Sequence, residues 1–266
     1  MNIVGVIPAR YESTRLPGKP LADICGKPMI WWVYEQMKKV QGLSEVYVAT
    51  DDERIKNECE KYDIKVVMTQ NNHPDHIARV HEVSQKVEAE LYVCVNGDEP
   101  LIDVESIEKV INEAIAFPSY FTGAFRYLKD PAQTIDIANI KIVTNAQQEA
   151  VYISRTPIPT PKGSLNFSYK KYVGIECFTK ESLNFFVATP MGVLEKIEDI
   201  DHLRFIENSK KLRFVEIQSE SISVDTQKDL EKVRETISLQ TPNSVGGGEL
   251  NVRHLEISNA AWLLVA

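Results

Sequence analysis

Cysteine is scarce in this chain of 266 residues: Cys25, Cys59, Cys94 and Cys177 lie far apart and form no C-x-x-C pair. That spacing excludes a disulfide framework and a Cys-based structural zinc site, and it fits reduced thiols in a cytoplasmic protein. Long apolar runs are missing as well. No stretch reaches the roughly 18 residues that a membrane helix needs, so a membrane partner is not expected. The first residues have no basic n-region and no small-residue cleavage site, so a signal peptide is not expected either. Basic charge is in deficit, 30 Lys and Arg against 38 Asp and Glu, for a formal net charge of −8. Nucleic-acid backbones are met by basic faces, so a nucleic-acid partner is excluded. A nucleotide is not, because a triphosphate needs only a few local cations.

What is present is 43% apolar residues, enough for one large α/β domain or one with an inserted subdomain. The run Ile3 to Ile7 reads as a buried parallel strand. A helical pattern follows from Pro28 to about Val40, a strand over Glu45 to Ala49, and a helix from Asp52 to about Tyr62. A strand over Lys65 to Met68, a helix from about Ile77 to Glu90, a strand over Leu91 to Val95 and a helix from Val104 to Ala116 complete the first half. This alternation predicts an α/β fold with a doubly wound, mostly parallel sheet. The second half is less regular. Strands are expected over 121–127, 140–144, 151–154 and 172–178, and helices over 183–187, 200–208 and 226–236. Residues 1–240 read as the working domain. After Pro242, Gly246-Gly247-Gly248 reads as a flexible linker, and 241–266 as an appended tail.

The sharpest signal is the segment from Pro8 to Pro20, between the first strand and the first long helix. It carries Arg10, Arg15 and Lys19 on one tight loop, with Ser13, Thr14 and the backbone N–H groups around Gly18 as neutral donors. Convergent cations and a glycine that lets the backbone approach are what a triphosphate requires. The loop is neither a Walker loop nor a dinucleotide-binding G-x-G-x-x-G. The same residues also suit a solvated basic turn. Asp98, in Asn96-Gly97-Asp98-Glu99-Pro100, follows a buried strand and faces the crevice where such sheets bind ligands. Asp225 is a second carboxylate, just before a helix. One or two carboxylates plus phosphate oxygens suit Mg²⁺, so this pair is the candidate metal site. Asp98 also suits a turn before Pro100, and Asp225 a helix cap with Asp229 behind it. His73, His76 and His81 do not put a ligand set on one helix face, so no zinc site is expected from them.

With these residues in hand, the chain resembles the 3-deoxy-manno-octulosonate (Kdo) cytidylyltransferases, the CMP-Kdo synthetases. The resemblance rests on Ile7 to Tyr11, Arg15 to Ala22, Gly26 to Ile30, Val48 to Asp52 and Gly97 to Pro100. It continues through Lys141 to Val143, Tyr152 to Arg155 with Ile158-Pro159, Gly174-Ile175, Leu203-Arg204 and Val224 to Thr226, to about Ile237. It implies a nucleotide-diphospho-sugar transferase fold with a smaller acceptor and dimerisation subdomain, and a homodimer. It implies that Ala9, Arg10, Ser13, Arg15, Lys19 and Arg79 bind CTP, and that Asp98 and Asp225 hold Mg²⁺. Arg15, Lys19, Asp98 and Asp225 would then carry the catalysis, and Arg155 would lie near the acceptor.

Four segments depart from the family pattern. Ser-Gly-Thr-Asp/Glu-Arg becomes Asp75-His76-Ile77-Ala78-Arg79, and Gln-Gly-Asp-Glu-Pro becomes Asn96-Gly97-Asp98-Glu99-Pro100. His-Leu-Gly-Ile-Tyr becomes Tyr172-Val173-Gly174-Ile175-Glu176, and Glu-Gln-Leu-Arg becomes Asp201-His202-Leu203-Arg204. The family's Gln and His face the sugar acid, so Asn96, Tyr172 and Glu176, with Arg155, are the acceptor candidates. A phosphate acceptor is already an anion at neutral pH, with its second pKa near ~6, and needs no general base. The altered pocket therefore favours L-glutamine phosphate, as in the phosphoramidate decoration of capsules, with Kdo or a related sugar acid as the alternative. Either belongs to surface polysaccharide biosynthesis, of capsule or lipopolysaccharide. A non-catalytic nucleotide-binding protein is the remaining class.

Overall fold

The computed structural model describes residues 1–240 apart from Thr14, Leu165 and Glu220. Thr14 and the tail 241–266 lie outside the described residues, and with them the linker reading of the three glycines.

The first half alternates as the apolar pattern predicts. Its order is β1 (Ile3–Ala9), a hairpin of β2 (Asp23–Ile24) and β3 (Lys27–Pro28), α1 (Met29–Lys38), β4 (Leu43–Thr50), α2 (Glu53–Glu60), β5 (Val66–Met68), α3 (His76–Lys86), β6 (Leu91–Val95) and α4 (Val104–Ala116). Three helices start where an aspartate can cap them. Asp52, Asp75 and Asp103 accept from the N–H groups of Arg54, Ala78 and Ser106. Such a cap contributes about 1 kcal/mol.

The second half holds β7 (Phe121–Tyr127), α5 (Pro131–Ile135), β8 (Lys141–Thr144), β9 (Ala150–Ser154), β10 (Lys170–Phe178), α6 (Lys180–Ala188), α7 (Val193–Glu198), α8 (Leu203–Glu207), β11 (Leu212–Glu216) and α9 (Gln227–Gln240). The hairpin β2–β3, α5, α7 and β11 have no counterpart in the sequence reading.

The main sheet runs β11-β7-β10-β6-β1-β4-β5, with β8 and β9 attached through β10. Pairs β6–β1, β1–β4, β4–β5 and β11–β7 are parallel. Only β10 is reversed along that path, pairing antiparallel with β6 and β7. Helices cover both faces. Ile7, Leu91, Val93 and Val95 pack with residues of α1, α2 and α4. Val4, Val6, Tyr92 and Cys94 pack with residues of α3, α6 and α8 on the opposite face. This is the doubly wound arrangement, with period-two alternation through each central strand.

A third cluster joins Ile24 and Met29 to Val224, Leu230, Val233 and Ile237 of the α9 region. It fastens the last described helix beside the loop that follows β1. That attachment brings Asp225 to residues some two hundred positions earlier in the chain.

Candidate active site

The loop after β1 closes on itself. The Gly18 N–H donates to the Tyr11 carbonyl (2.9 Å) and the Lys19 N–H to the Leu16 carbonyl (3.1 Å). Gly18 has φ +69°, a conformation that a Cβ would strain. The backbone N–H groups of Gly18 and Lys19 are therefore committed inside the turn. These two groups are spent on the loop's own shape, and the side chains carry its charge. Arg10 and Arg15 are exposed, and Ser13 and Lys19 half-buried.

Lys19 stands at the centre of the site. Its Nζ lies 2.6 Å from Asp98 Oδ2 and 3.3 Å from Asp225 Oδ1. Arg15 reaches the same Asp225 oxygen at 2.9 Å. Burial works against the Lys19 ammonium, but the charges and hydrogen bonds of Asp98 and Asp225 outweigh it, and its pKa lies above the ordinary lysine value. The strand end of β6 and the start of α9 are also stitched directly, by the Val224 N–H donating to the Asp98 carbonyl at 2.9 Å.

Neither carboxylate is spent on the turn or on the helix cap. Thr226 and Asp229 cap α9, with Asp229 Oδ2 accepting from the Thr226 N–H at 2.9 Å and Thr226 Oγ1 from the Asp229 N–H at 3.3 Å. Asp225 is thus not the cap. The turn at Asp98 is closed by backbone, the Glu99 N–H donating to the Asn96 carbonyl. Asp98 Oδ1 is buried with no hydrogen-bond partner. An orphaned carboxylate oxygen beside a second carboxylate fits a hard divalent cation such as Mg²⁺. Glu99 next door has its pKa raised to about 7, by burial first and then by the Asp98 charge, against the hydrogen bond from Ser221.

Ala9 is buried and pairs with Thr50 across the β1–β4 ladder. Arg79 is fully buried, its Nη1 2.9 Å from Asp51 Oδ1 and 2.5 Å from Thr69 Oγ1. Its Nε and Nη2 have no partner. Burial, only partly offset by Asp51 and reinforced by the positive charge of Arg10, lowers its pKa.

The four departing segments meet in one place, on the α3 and α8 side of the sheet. Asn96 lies against Gly174, where a Cβ would come within 2.5 Å of its Nδ2. Tyr172 donates its hydroxyl proton to Glu176. His202 Nε2 lies 2.8 Å from Glu176 Oε1, and His76 Nε2 2.9 Å from Glu176 Oε2. Asp201 Oδ2 lies 3.4 Å from His76 Nδ1. Burial would raise the Glu176 pKa, but the two imidazoles overcome it and hold the carboxyl far below its usual range. Arg204 grips Glu195 with two N–H groups, at 2.8 and 2.5 Å, and lies 3.9 Å from Asp75.

Two acceptor candidates do not present free groups. Glu176 is completely buried beneath Tyr172 and the histidines. Arg155 donates from Nε to the Glu198 carbonyl (2.6 Å), from Nη2 to the Asp199 carbonyl (2.6 Å) and from Nη1 to the Ile137 carbonyl (3.3 Å). It clamps the carboxyl end of α7, where orphan carbonyls need donors. His76, His202 and Asp201 escaped the sequence reading as site residues. Their only signal was that they stand in segments departing from the family pattern.

A family model described as Cytidylyltransferase matches residues 4–218. The 3-deoxy-manno-octulosonate cytidylyltransferase of Escherichia coli is 38% identical over 229 residues, spanning 86% of this chain and 93% of that one. The 8-amino-3,8-dideoxy-manno-octulosonate cytidylyltransferase of Shewanella sp. (strain ANA-3) is 37% identical over 244 residues, spanning 90% and 100%. A solved structure of CMP:2-keto-3-deoxy-manno-octonic acid synthetase complexed with CTP superposes with a TM-score of 0.87 at 37% identity, covering 91% of this chain and 100% of that one.

Proposed function

Because the chain belongs to the cytidylyltransferase family, we propose that it transfers CMP from CTP to a Kdo-type sugar acid, with release of pyrophosphate. The observation that carries this reading is Lys19 held between Asp98 and Asp225, with Arg15 on the same carboxylate.

Transfer joins an acceptor hydroxyl oxygen to the α-phosphorus, releases that hydroxyl's proton to solvent, and breaks the phosphorus's bond to the bridging oxygen of pyrophosphate. The protein's work is positioning and electrostatics. Asp98 and Asp225 would hold Mg²⁺, which when bound neutralises phosphate charge and orients the triphosphate. Lys19, kept cationic by its two carboxylates, and Arg15 offset the charge that gathers on the departing pyrophosphate. Arg10 and Ser13 lie on the same loop and suit the remaining phosphate oxygens. The unmatched Nε and Nη2 of Arg79 are buried donors that an acceptor group of the nucleotide would satisfy.

On the acceptor side the alternative drawn from the sequence replaces the first expectation. The relatives reported above act on Kdo and its 8-amino derivative, and L-glutamine phosphate finds no support among them. The pocket's departing segments supply Glu176, buried and paired with His76 and His202, and Asp201 beside His76. In this reading the part-exposed Asn96, Tyr172 and His76 would face a polyhydroxy acid, while Arg155 supports the wall through α7. Pyrophosphate release from CTP and Mg²⁺ with Kdo, 8-amino-Kdo and L-glutamine phosphate offered separately tests this. Turnover with a sugar acid is expected. Turnover with glutamine phosphate alone would overturn the acceptor reading, and no release with any of them the whole reading.

A further inference from the structure

His76, Glu176 and His202 come from the start of α3, from β10 and from the residue before α8, 100 and 26 residues apart in the chain. Their ligand-capable atoms, His76 Nε2, a Glu176 oxygen and His202 Nε2, all lie within 4.8 Å of one another. From this geometry we propose a second metal site, for a borderline divalent ion of the zinc type, in the floor of the acceptor pocket.

Two imidazole nitrogens and one carboxylate oxygen suit Zn²⁺, Co²⁺, Ni²⁺ or Fe²⁺, whereas Mg²⁺ prefers all-oxygen sites such as Asp98 with Asp225. Ligand bonds of about 2.0–2.2 Å place donor atoms about 3–4 Å apart, so small side-chain rotations open room for the ion. The surroundings are those of a built site. Asp201 Oδ2 lies 3.4 Å from His76 Nδ1, the carboxylate–histidine arrangement that orients a metal-binding imidazole. Tyr172 donates to the same Glu176 carboxylate, and the Phe121 and His202 rings meet in a T-shaped arrangement with centroids 4.6 Å apart. Glu176 and His202 are buried, while the His76 side chain is 24% exposed. The ion would therefore have three protein ligands and one open side, the pattern of a site that binds an exogenous oxygen rather than a closed structural one. This site does not depend on which acceptor the enzyme uses.

The test is a titration of chelator-stripped protein with Co²⁺ in excess Mg²⁺, following visible ligand-field absorption, with zinc content by mass spectrometry alongside. One Co²⁺ per chain is expected, retained in the Asp98→Asn/Asp225→Asn variant and lost in His76→Ala/His202→Ala. Asp201→Asn should keep the stoichiometry and weaken affinity about 10–100-fold. Circular dichroism checks folding. Should the double alanine variant not fold, His76→Gln and Glu176→Gln singly must each weaken Co²⁺ at least about tenfold, the scale of a lost orienting partner. Wild-type protein that takes up no Co²⁺ in Mg²⁺, or histidine variants that bind it unchanged, would overturn the site and leave only a hydrogen-bonded network.

Discussion

Lys19 sits with 16% of its side chain exposed, between two carboxylates that also suit a cation. Its charge is fixed there before any substrate arrives, so no reorganisation is needed when pyrophosphate departs. Replacing it with methionine should lower kcat about 10²–10³-fold, the scale for removing one preorganised donor. Steady-state kinetics with CTP and the preferred sugar acid would show this, and unchanged kcat would remove Lys19 from the catalytic step. Lys19 and Asp98 stood out as candidates in the sequence from a loop after the first strand and a strand end, whereas Asp225 by itself read as a helix cap and was promoted only by the family resemblance. Glu176 was legible only as a departure. Its burial and its two histidines could not be read, because partners 100 residues away meet only once the sheet has formed. Arg155 is a different case. The family resemblance put it near the acceptor, and in the fold three backbone carbonyls hold its guanidinium.

Among the elements, those with strong apolar periodicity were read correctly in kind, within a few residues at their ends. Elements whose burial depends on neighbours were not. β11 (LRFVE) is short and interrupted by charge, and becomes a strand by pairing with β7. The helix α7 carries exposed Val193 and Ile197, so its own pattern gives little sign of a face. The helix α9 has a readable apolar face, and its packing has catalytic consequences. Leu230, 2% exposed, anchors it against Ile24 and Met29. Leu230→Ala should cost about 2–5 kcal/mol in denaturant unfolding. It should also raise the KM for CTP, since Asp225 rides on the same helix start. Normal stability would show that α9 is not anchored there. On α3, Glu82 has its pKa lowered to about 2. Burial opposes this, while Lys86, the Gln70 N–H and His73 favour the carboxylate. A carboxyl with a depressed folded-state pKa stabilises above its unfolded value, about 4.3, and loses that contribution as pH falls toward 2. Glu82→Gln should therefore be less stable than wild type at pH 7, with the gap closing as the medium is acidified. A gap independent of pH would refute the assignment.

Across the whole molecule, the site draws on the loop after β1, the end of β6 and the start of α9. A ligand bridging all three binds only the folded chain. CTP with Mg²⁺ at a hundredfold excess over its dissociation constant should stabilise the protein by about 2.7 kcal/mol, read as a rise in Tm. Asp98→Asn should lose most of that rise while folding normally, and an equal rise in the variant would place the nucleotide elsewhere. The described helices include none long and apolar enough to cross a membrane. The bond from the Val224 N–H to the Asp98 carbonyl has one more implication. During synthesis the ribosome delivers Lys19 and Asp98 long before the segment that must dock against them. The three-part arrangement is consequently incomplete until its closing helix has left the exit tunnel. A nick between β11 and α9 would leave the closing helix held to the body by these noncovalent contacts alone, with nearly all of the sheet standing.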